Sequence, residues 1–412
     1  MPETPLIATI SAGLVLAFVF GLVAHRLRIQ PLVGYLLAGI VVGPFTPGFV
    51  ADQDLVIELA EIGVILLMFG VGLHFSLKDL IKVGRIAVPG AIGQIMVATA
   101  LGTGLAVWLG WTLPASIVFG LTLSVASTVV LVRALQERGL METERGRIAV
   151  GWLIVEDLAI VLVLVLLPAI AAASVIEGDS WLRIAGALAI TLGKLSAFIA
   201  GMLIIGRRAI PWLMHYTAHT YSRELFRLAV YAIALGVAYG AYKLSGASLA
   251  LGAFFAGVVL GESRLSQRAA EEAMPLRDAF AVLFFVSVGM LLNPAVLVER
   301  PLAILLTVAI IMLGKSAAAY VIVRAFGHRH ITAITISASL AQIGEFSFIL
   351  AGVGVSLGLL DQGARDLILA SAIISILLNP LLFLLTRSEA AEEPVAEKSG
   401  ETRGRWQGIG RK

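Results

Sequence analysis

An apolar run from about residue 148 to residue 173 is long enough to cross a membrane, and two adjacent carboxylates, Glu156 and Asp157, lie near its middle. A helix of ~20 mostly apolar residues spans a bilayer. Each charged side chain at that depth costs ~2.5–3.5 kcal/mol on insertion scales, and such residues are typical of ion and proton pathways. The pair therefore predicts a membrane helix that binds and releases a cation or a proton.

The composition predicts a chain that crosses the membrane many times, since 59% of the 412 residues are hydrophobic and only 14% are charged. Soluble domains average roughly 45–50% apolar and about 25% charged residues. The sequence has no cysteine, which excludes disulfides, thiolate metal sites and a cysteine nucleophile within it. Its net charge of +3 does not predict nucleic-acid binding, because the basic residues lie in short loops rather than in one patch. The N-terminus lacks the positive region of a signal peptide, so we expect the first apolar run to be a retained helix.

Thirteen apolar segments predict an all-α polytopic membrane protein. They lie near residues 5–24, 31–50, 55–75, 85–109, 113–134, 147–173, 182–206, 225–243, 246–262, 277–293, 301–325, 331–358 and 364–386. The odd-numbered loops hold 18 Lys and Arg residues, whereas the even-numbered loops hold only Arg183, Lys243, Arg300 and Arg365. Because positive charge favours the cytoplasmic side, this bias predicts a protein of the cytoplasmic membrane with its N-terminus outside and its C-terminus in the cytoplasm.

The two halves of the chain resemble each other in sequence. Residues 34–43 (GYLLAGIVVG) match residues 252–261 (GAFFAGVVLG) at an offset of 218, and residues 65–73 (ILLMFGVGL) match residues 282–290 (VLFFVSVGM) at an offset of 217. By the charge bias, the second and ninth spans run in opposite directions. The halves therefore predict an inverted repeat, which is the architecture of many secondary transporters.

This repeat defines the predicted domain organisation. The first repeat covers about 5–173, a linker helix covers about 182–206, and the second repeat covers about 225–386. Together they form one transmembrane domain at 1–386. A polar cytoplasmic tail follows at 387–412.

Two interruptions of apolar spans also correspond between the halves. The offset aligns Ser124-Val125-Ala126-Ser127 with Ala341-Gln342-Ile343-Gly344, and both segments place small or polar residues inside an apolar span. Paired interruptions indicate discontinuous helices that cross at a binding site near the membrane midplane. The freed backbone carbonyls of such segments can coordinate ions. Alternatively, the hydroxyl groups satisfy neighbouring backbone groups and no break exists.

Asp157 is the first candidate for the ion and proton site. In a partly dry cavity, desolvation favours the protonated carboxyl group, whereas a nearby cation favours the carboxylate. A group that holds either H⁺ or a cation couples the movement of the two. Alternatively, Asp157 is a structural carboxylate paired with a basic residue. Glu156 points about 100° away around the helix, and is either a second carrier or the partner of a lysine.

Lys315 lies deep in the second repeat, in an otherwise apolar stretch. A buried ammonium group must pair, snorkel or lose its proton. We expect Lys315 to form a bridge with Glu156 or Asp157 that ion binding breaks. The alternative is a lysine that snorkels towards the membrane interface.

Polar residues at the two predicted breaks supply further ligands. Ser127 and Thr128 offer hydroxyl groups at the first break, and Gln342 offers an uncharged carbonyl oxygen at the second. Glu345 lies three residues after Gln342, one helical turn away, and is assigned to coupling or to a salt bridge. We expect a monovalent cation at Asp157, with K⁺ or Na⁺ as the transported ion and no cofactor.

Three segments resemble motifs of the Kef-type branch of monovalent cation/proton antiporters. Val155–Leu158 resembles the carboxylate motif of that family, Phe284–Met290 its FFxSVGM stretch and Gln342–Phe348 its QxGEF stretch. The resemblance covers roughly residues 5–386 and has the motifs in the family's order. It implies a homodimer in which a core domain carries the ion in an elevator-like step relative to a dimerisation domain.

The resemblance also implies roles for individual residues. The main ion and proton carrier of the family corresponds to Asp157, and its buried lysine corresponds to Lys315. Glu156 departs from the pattern, because the best-known Kef exchangers have Gln at this position and electrogenic sodium exchangers have Asp; ion choice and stoichiometry therefore stay open. Many Kef-type chains continue into a cytoplasmic nucleotide-binding regulatory domain. Residues 387–412 show no GxGxxG motif followed by a helix, so this sequence either stops before such a domain or does without it.

Three functions are compatible with a polytopic chain of this kind. We favour a secondary active antiporter that exchanges a monovalent cation, K⁺ before Na⁺, for H⁺. A gated cation channel would contain a repeated selectivity-filter loop, and the sequence has none. An intramembrane protease would need an aspartyl dyad from two helices or an HExxH zinc spacing, and the six histidines form no such motif. We therefore predict a transporter and not an enzyme.

Overall fold

The chain folds into helices throughout the part that the computed structural model describes, which comprises residues 5–27, 29–47, 53–74, 77–136, 138–141, 143–174, 181–245 and 249–383. No β-strand occurs among these residues, in agreement with the predicted all-α class. The tail predicted at 387–412 lies outside the described residues.

Each predicted span overlaps one helix or two consecutive helices of the structure. In chain order the helices are α1 (Pro5–Arg26), α2 (Pro31–Val42), α3 (Gln53–His74), α4 (Leu77–Trp108), α5 (Leu113–Ser124), α6 (Thr128–Gln136), α7 (Glu144–Ser174), α8 (Trp181–Gly201), α9 (Arg207–His219), α10 (Arg223–Ser245), α11 (Leu249–Gly261), α12 (Ser266–Met290), α13 (Val296–Glu299), α14 (Pro301–Ala309), α15 (Lys315–Ala325), α16 (His330–Leu340), α17 (Glu345–Ser356) and α18 (Gln362–Leu382). A π-helical turn at Met202–Gly206 joins α8 to α9, and another at Ile310–Gly314 joins α14 to α15.

Many of these helices have the length and composition of membrane spans. Within the described ranges, eight continuous helical segments are long and apolar enough to cross a membrane, two of which run through the π-helical turns; the pair α16–α17, bent by 42°, makes a ninth. The helices α2, α5 and α11 are also apolar but shorter. The chain is therefore a multi-pass membrane protein. The count of thirteen crossings stays a prediction.

The helices pack into two bundles. The first bundle contains α1–α3 and α10–α12, with α3 packed against both α11 and α12. The second bundle contains α4–α7 and α14–α18, with α4 packed against α5, α7 and α15. Helix α8 contacts α7 of the second bundle and α10 of the first, so it connects the two. Both halves of the sequence thus contribute helices to each bundle.

Glycines bring two pairs of helices in the first bundle into backbone contact. A Cβ atom on Gly39 of α2 would lie 2.8 Å from the Cα atom of Gly289 in α12. A Cβ atom on Gly257 of α11 would lie 3.0 Å from the Cα atom of Gly72 in α3. Small residues allow membrane helices to approach this closely. The two crossings use the segments that align between the halves, as a repeat requires, although its inverted orientation stays a prediction.

The linker helix is longer than the sequence indicated. We expected it to end near residue 206, whereas helical structure continues through a π-helical turn into α9 and ends at His219. In α9, Ile210 and Met214 are buried one turn apart, while Trp212 and Tyr216 are exposed. The boundary differs because hydropathy detects the end of an apolar run, and an amphipathic helix can continue beyond it.

Candidate ion-binding site

Two broken helices meet inside the second bundle. Helix α5 ends at Ser124 and α6 begins at Thr128, while α16 ends at Leu340 and α17 begins at Glu345. The first break has extended backbone at Val125, with φ −103° and ψ 128°. The unwound residues, which include Ala126 and Ile343, are buried. Both interruptions lie where the sequence predicted them.

Direct hydrogen bonds connect the two breaks. The backbone N–H of Ser127 donates to Oε1 of Gln342 at 3.0 Å, and Nε2 of Gln342 donates to the carbonyl oxygen of Ser127 at 3.2 Å. The hydroxyl group of Ser127 also donates to Oε2 of Glu345 at 2.8 Å. Farther from the crossing, Ser347 Oγ donates to the carbonyl oxygen of Thr122 at 2.6 Å. One amide side chain thus satisfies both backbone groups of a residue in the other break.

The crossing has no room for a side chain at Gly344. A Cβ atom there would lie 2.6 Å from the Cα atom of Ser127 and 2.8 Å from its Oγ. Real Cβ atoms do not approach other atoms so closely in a well-packed interior, where overpacking forces backbone shifts. Glycine is therefore the residue that lets the two unwound segments touch.

Glu156 is fully buried beside the first break. Its Oε2 accepts a hydrogen bond from the backbone N–H of Ala126 at 2.9 Å. Its Oε1 has no hydrogen-bond partner among the described residues. Buried polar atoms are nearly always paired, so the unpaired oxygen requires a further partner, such as water, a proton or a cation.

Asp157 follows in the chain and is 5% exposed. Its Oδ2 accepts a hydrogen bond from the hydroxyl group of Thr128 at 3.0 Å, and its Oδ1 has no partner in the described part of the chain. The charged neighbours that act on it most strongly are Glu345 and Glu156. Asp157 is thus a carboxylate with one free oxygen, placed among other carboxylates.

Lys315, the first residue of α15, is fully buried. Its ammonium group donates to the carbonyl oxygen of Gln342 at 3.1 Å, and Glu156 is its charged neighbour. The π-helical turn at Ile310–Gly314 ends directly before it, and such turns occur frequently at functional sites. The direct bridge expected from the sequence is not formed within the described residues, where Lys315 makes no ion pair. Glu156, and not Asp157, is the carboxylate whose charge acts on its ammonium group.

A cavity of about 890 Å³ lies between the two bundles and reaches the first break. From the second bundle, Asp157, Thr128 and Glu345 line it together with residues of α6 and α7. From the first bundle come Gln30, Pro31, Leu32, Tyr35, Leu67, Gly70, Val71, Phe254, Arg277, Asp278, Ala281, Val282 and Phe285. Glu156 is not among the lining residues. The structure therefore separates the adjacent carboxylates: one contacts the cavity, and the other contacts the interior of the second bundle.

A buried carboxylate in the first bundle shows a different environment. Glu272 of α12 accepts hydrogen bonds on both oxygens, from Arg223 at 3.3 Å on Oε1 and from Arg227 at 2.6 Å on Oε2. Tyr231 donates to its backbone oxygen at 2.9 Å. A carboxylate with both oxygens paired to arginines has little capacity for another cation. Asp157, by contrast, lines the cavity and has one oxygen without a partner in the part of the chain that the structure describes.

The sequence did not single out every residue that shapes this site. Gln94 and Trp152 are fully buried beside Glu156, and Gln30 reaches α6 from the start of α2, where its Nε2 donates to the carbonyl oxygen of Val130 at 3.4 Å. An uncharged polar residue within the predicted span at 85–109 was the available signal for Gln94. The roles of all these side chains in ion binding stay predictions.

Comparison with known proteins identifies relatives over most of the chain. The family described as "Sodium/hydrogen exchanger, transmembrane" matches residues 14–384. The putative cation/proton antiporter YbaL of Escherichia coli (strain K12) is 62% identical over 404 residues, which are 97% of this chain and 72% of that protein. The K(+) efflux antiporter 4 of Arabidopsis thaliana is 36% identical over 360 residues, which are 86% of this chain and 60% of that protein. These names agree with the Kef-type resemblance of the motifs.

A solved structure shares the fold at low sequence identity. The sodium proton antiporter MjNhaP1 of Methanocaldococcus jannaschii, determined at pH 8, superposes with a TM-score of 0.71 and 18% identity over 93% of this chain and 98% of that one. Because the family match covers nearly the whole described part of the sequence, the chain belongs to the family of transmembrane sodium/hydrogen exchangers.

Proposed function

We propose that the chain exchanges a monovalent cation, K⁺ before Na⁺, for H⁺ across the cytoplasmic membrane. Cation/proton exchange is the activity of its family. The preference for K⁺ is supported by the Kef-type motifs and by the name of the 36% identical plant relative, a K(+) efflux antiporter. The cytoplasmic membrane is supported by the positive charge of the odd-numbered loops.

The observation that carries the proposal is Asp157 itself, which lines the cavity and has one buried carboxylate oxygen without a hydrogen-bond partner among the described residues. A buried carboxylate beside a water-accessible space is stable either with a proton or with a cation that replaces its water. The proton and the cation therefore compete for the same oxygens, and binding of one excludes the other. Within the described residues, no three His, Cys, Asp or Glu side chains cluster closely enough to hold a metal ion. The cation would thus combine Asp157 with neutral oxygens, such as the hydroxyl group of Thr128.

The two-bundle packing supports an elevator-like step. The cavity runs along the boundary between the bundles, and one helix, α8, contacts both α7 and α10. Gln136, Met141 and Arg277 line the cavity, and all three lie in or directly beside odd-numbered loops, which the charge bias assigns to the cytoplasm. The cavity would then open inward, and movement of the second bundle past the first would carry Asp157 towards the other side. The homodimer that the motifs imply would hold the first bundle in place.

Lys315 and Glu156 would balance charge rather than carry the ion. Two carboxylates side by side in a low-dielectric interior repel each other strongly. The ammonium group of Lys315 compensates Glu156, so that the charge of Asp157 can be changed by the transported species. Direct ion binding by Gln342 and by Glu156 would then be secondary to binding by Asp157.

The test is a ΔpH assay on the purified protein in proteoliposomes, with K⁺, Na⁺ and Li⁺ compared. We expect K⁺ to dissipate the proton gradient in the wild type and to have no effect in Asp157→Asn. Asp366→Asn is the matched control, because Asp366 is also buried in the second bundle but does not line the cavity. Equal activity in Asp157→Asn and the wild type would contradict the site. Cation flux that is uncoupled from proton movement would instead indicate a channel.

A further inference from the structure

A chain of hydrogen bonds runs from Trp152 of α7 through Gln94 of α4 to Ser124 at the first break. The proposed exchange reaction does not use it. The indole N–H of Trp152 donates to Oε1 of Gln94 at 2.9 Å, and Nε2 of Gln94 donates to the carbonyl oxygen of Ser124 at 3.1 Å. All three residues are fully buried. A polar chain in this position is costly unless each member is paired, and here the amide is paired at both ends.

The orientation of the Gln94 amide is determined by its two partners. An indole nitrogen can only donate, and a carbonyl oxygen can only accept. The amide oxygen therefore faces Trp152, and the amide nitrogen faces Ser124. The carbonyl group of Ser124 lies at the end of α5, where the helix leaves its last carbonyls without helical donors. Gln94 supplies the missing donor.

Trp152 lies on α7, and its ring packs against α4. A Cβ atom on Gly90 would lie 2.8 Å from Cε3 of the Trp152 ring, so the ring packs directly on the backbone of α4. Gly90 and Gln94 are four residues apart on α4, as are Trp152 and Glu156 on α7, and residues with this spacing share one face of a helix. One face of α4 thus contacts the face of α7 that carries the buried carboxylate.

The unwound segment is held on both of its sides by this contact. Gln94 donates to the carbonyl oxygen of Ser124, and Glu156 accepts from the N–H of Ala126. The amide of Gln94 and the indole of Trp152 are also close neighbours of the Glu156 carboxylate. A change at Gln94 would therefore reach both the backbone before Thr128 and the carboxylate before Asp157.

The second break has a corresponding donor. Lys315, in the span before the second broken helix, donates to the carbonyl oxygen of Gln342, just as Gln94, in the span before the first, donates to that of Ser124. The donor is charged in one case and neutral in the other. A positive group at Gln94 would compete with Lys315 for Glu156, whereas an amide satisfies the backbone without adding charge.

We infer that Gln94 is a positioning residue for cation and proton binding, acting through the backbone of Ser124–Ala126 and through Glu156. It can have this role only if the chain exchanges a cation for H⁺, as proposed. Its contribution is to hold Thr128 and the two carboxylates in the geometry that admits the ion. Outer partners of this kind typically change affinity or activity about tenfold to 100-fold when removed.

The test compares Gln94→Met, Gln94→Glu and the control Thr99→Val in proteoliposomes over a range of K⁺ and pH. Methionine has a similar length but cannot hydrogen-bond. Glutamate in its protonated form can accept from Trp152 and donate to Ser124, so it restores both bonds only while it holds its proton. The hydroxyl group of Thr99, on the same helix, has no hydrogen-bond partner in the described part of the chain, so its loss removes polarity without removing a bond.

We expect Gln94→Met to raise the half-saturating K⁺ concentration about tenfold and to shift the pH profile of exchange. Gln94→Glu should approach wild-type activity where its carboxyl group is protonated, and fall to the activity of Gln94→Met or below it where that group is ionised, while Thr99→Val stays unchanged. Unchanged affinity and pH profile in Gln94→Met would overturn the inference, as would a loss of maximal rate alone. If Gln94→Met does not fold, the pH dependence of Gln94→Glu decides, and its absence overturns the inference.

A second measurement separates this inference from the proposed function. The thermal stability of the purified protein reports K⁺ binding without transport, and the K⁺ concentration for half-maximal stabilisation should rise in Gln94→Met. A wild type that neither exchanges nor gains stability from K⁺, Na⁺ or Li⁺ would overturn both proposals. A wild type that exchanges K⁺ while Gln94→Met matches it in both assays would overturn only the role of Gln94.

Discussion

The two broken helices meet the same backbone requirement with different charges. At the first break, the neutral amide of Gln94 donates to the carbonyl oxygen of Ser124; at the second, the ammonium group of Lys315 donates to that of Gln342. Both distances are 3.1 Å, and both donors come from the span before the broken one. Each donor satisfies a carbonyl that the interrupted helix leaves unpaired.

The difference indicates that pairing the backbone and balancing the charge are separate tasks. Either an amide or an ammonium group can satisfy the carbonyl, but only the ammonium group of Lys315 provides a positive charge near Glu156. The first break lies beside the two adjacent carboxylates, and the span before the second break supplies the compensating lysine, Lys315. The site is therefore complete only where the two halves of the chain cross.

The largest effect is expected when the two adjacent carboxylates are neutralised one at a time. Asp157→Asn should abolish exchange, because Asp157 lines the cavity, whereas Glu156→Gln should retain exchange with an altered pH dependence. Binding of K⁺ at 100 times its Kd should stabilise the wild type by about 2.7 kcal/mol and leave Asp157→Asn unaffected. Proteoliposome flux and thermal unfolding measure these outcomes. Loss of exchange in Glu156→Gln with retention in Asp157→Asn would reverse the assignment.

One added methyl group at Gly344 tests the close contact between the two unwound segments. Gly344→Ala should lower the stability of the protein by about 3 kcal/mol, because the new Cβ atom would lie 2.6 Å from the Cα atom of Ser127. Gly352→Ala on α17, the helix that follows Gly344, is the control, since a Cβ atom there meets nothing within 4 Å. The apparent melting temperature of each purified variant measures the effect. Equal melting temperatures would show that the two segments are not in contact.

Lys315→Gln converts the second break into a neutral one like the first. The amide can still donate to the carbonyl oxygen of Gln342, but the positive charge near Glu156 is lost. We expect exchange to fall about tenfold and its pH profile to shift, and we expect stability to fall because a buried carboxylate loses its compensating charge. Lys194→Gln is the control, because Lys194 is exposed on α8. A pH profile identical to that of the wild type would show that the charge of Lys315 is not coupled to the site.

The smallest effect is expected at the hydrogen bond between α17 and α5, which joins the two broken helices at a distance from the ion site. Ser347→Ala removes the bond to the carbonyl oxygen of Thr122 and should cost about 1 kcal/mol of stability, with the half-saturating K⁺ concentration unchanged. Ser356→Ala serves for comparison, because the hydroxyl group of Ser356 is exposed and bonds only within its own helix. Thermal unfolding and K⁺ titration distinguish the two. A changed K⁺ affinity in Ser347→Ala would extend the site beyond the crossing.

Much of the site could be predicted because its residues contradict their surroundings. Glu156, Asp157 and Lys315 are charged residues in apolar runs, and burial of such groups needs a functional reason. The breaks were predicted because small and polar residues interrupt two spans at one offset. The sequence left two candidate partners for Lys315, namely Glu156 and Asp157. Neighbouring residues of a helix point in directions about 100° apart, and the sequence does not show which of the two carboxylates faces α15.

Other features gave little or no sequence signal. Gln94 is one of several uncharged polar residues in a long and largely apolar helix. Its bond to Ser124 joins residues 30 positions apart. The continuation of the linker to His219 was missed because α9 is amphipathic rather than apolar. The cavity is formed by residues from α2 to α17, so no local pattern could have indicated it.

By itself, the sequence determined the all-helical membrane fold, the two interruptions and the family, since each depends on local composition or on a short motif. Only the tertiary structure decided which carboxylate contacts the cavity, which one lies near Lys315, and how Gln94 pairs with the first break. These depend on distances of about 3 Å between helices far apart in the chain. Hydropathy constrains how each helix meets the membrane, but packing of side chains against one another sets those distances.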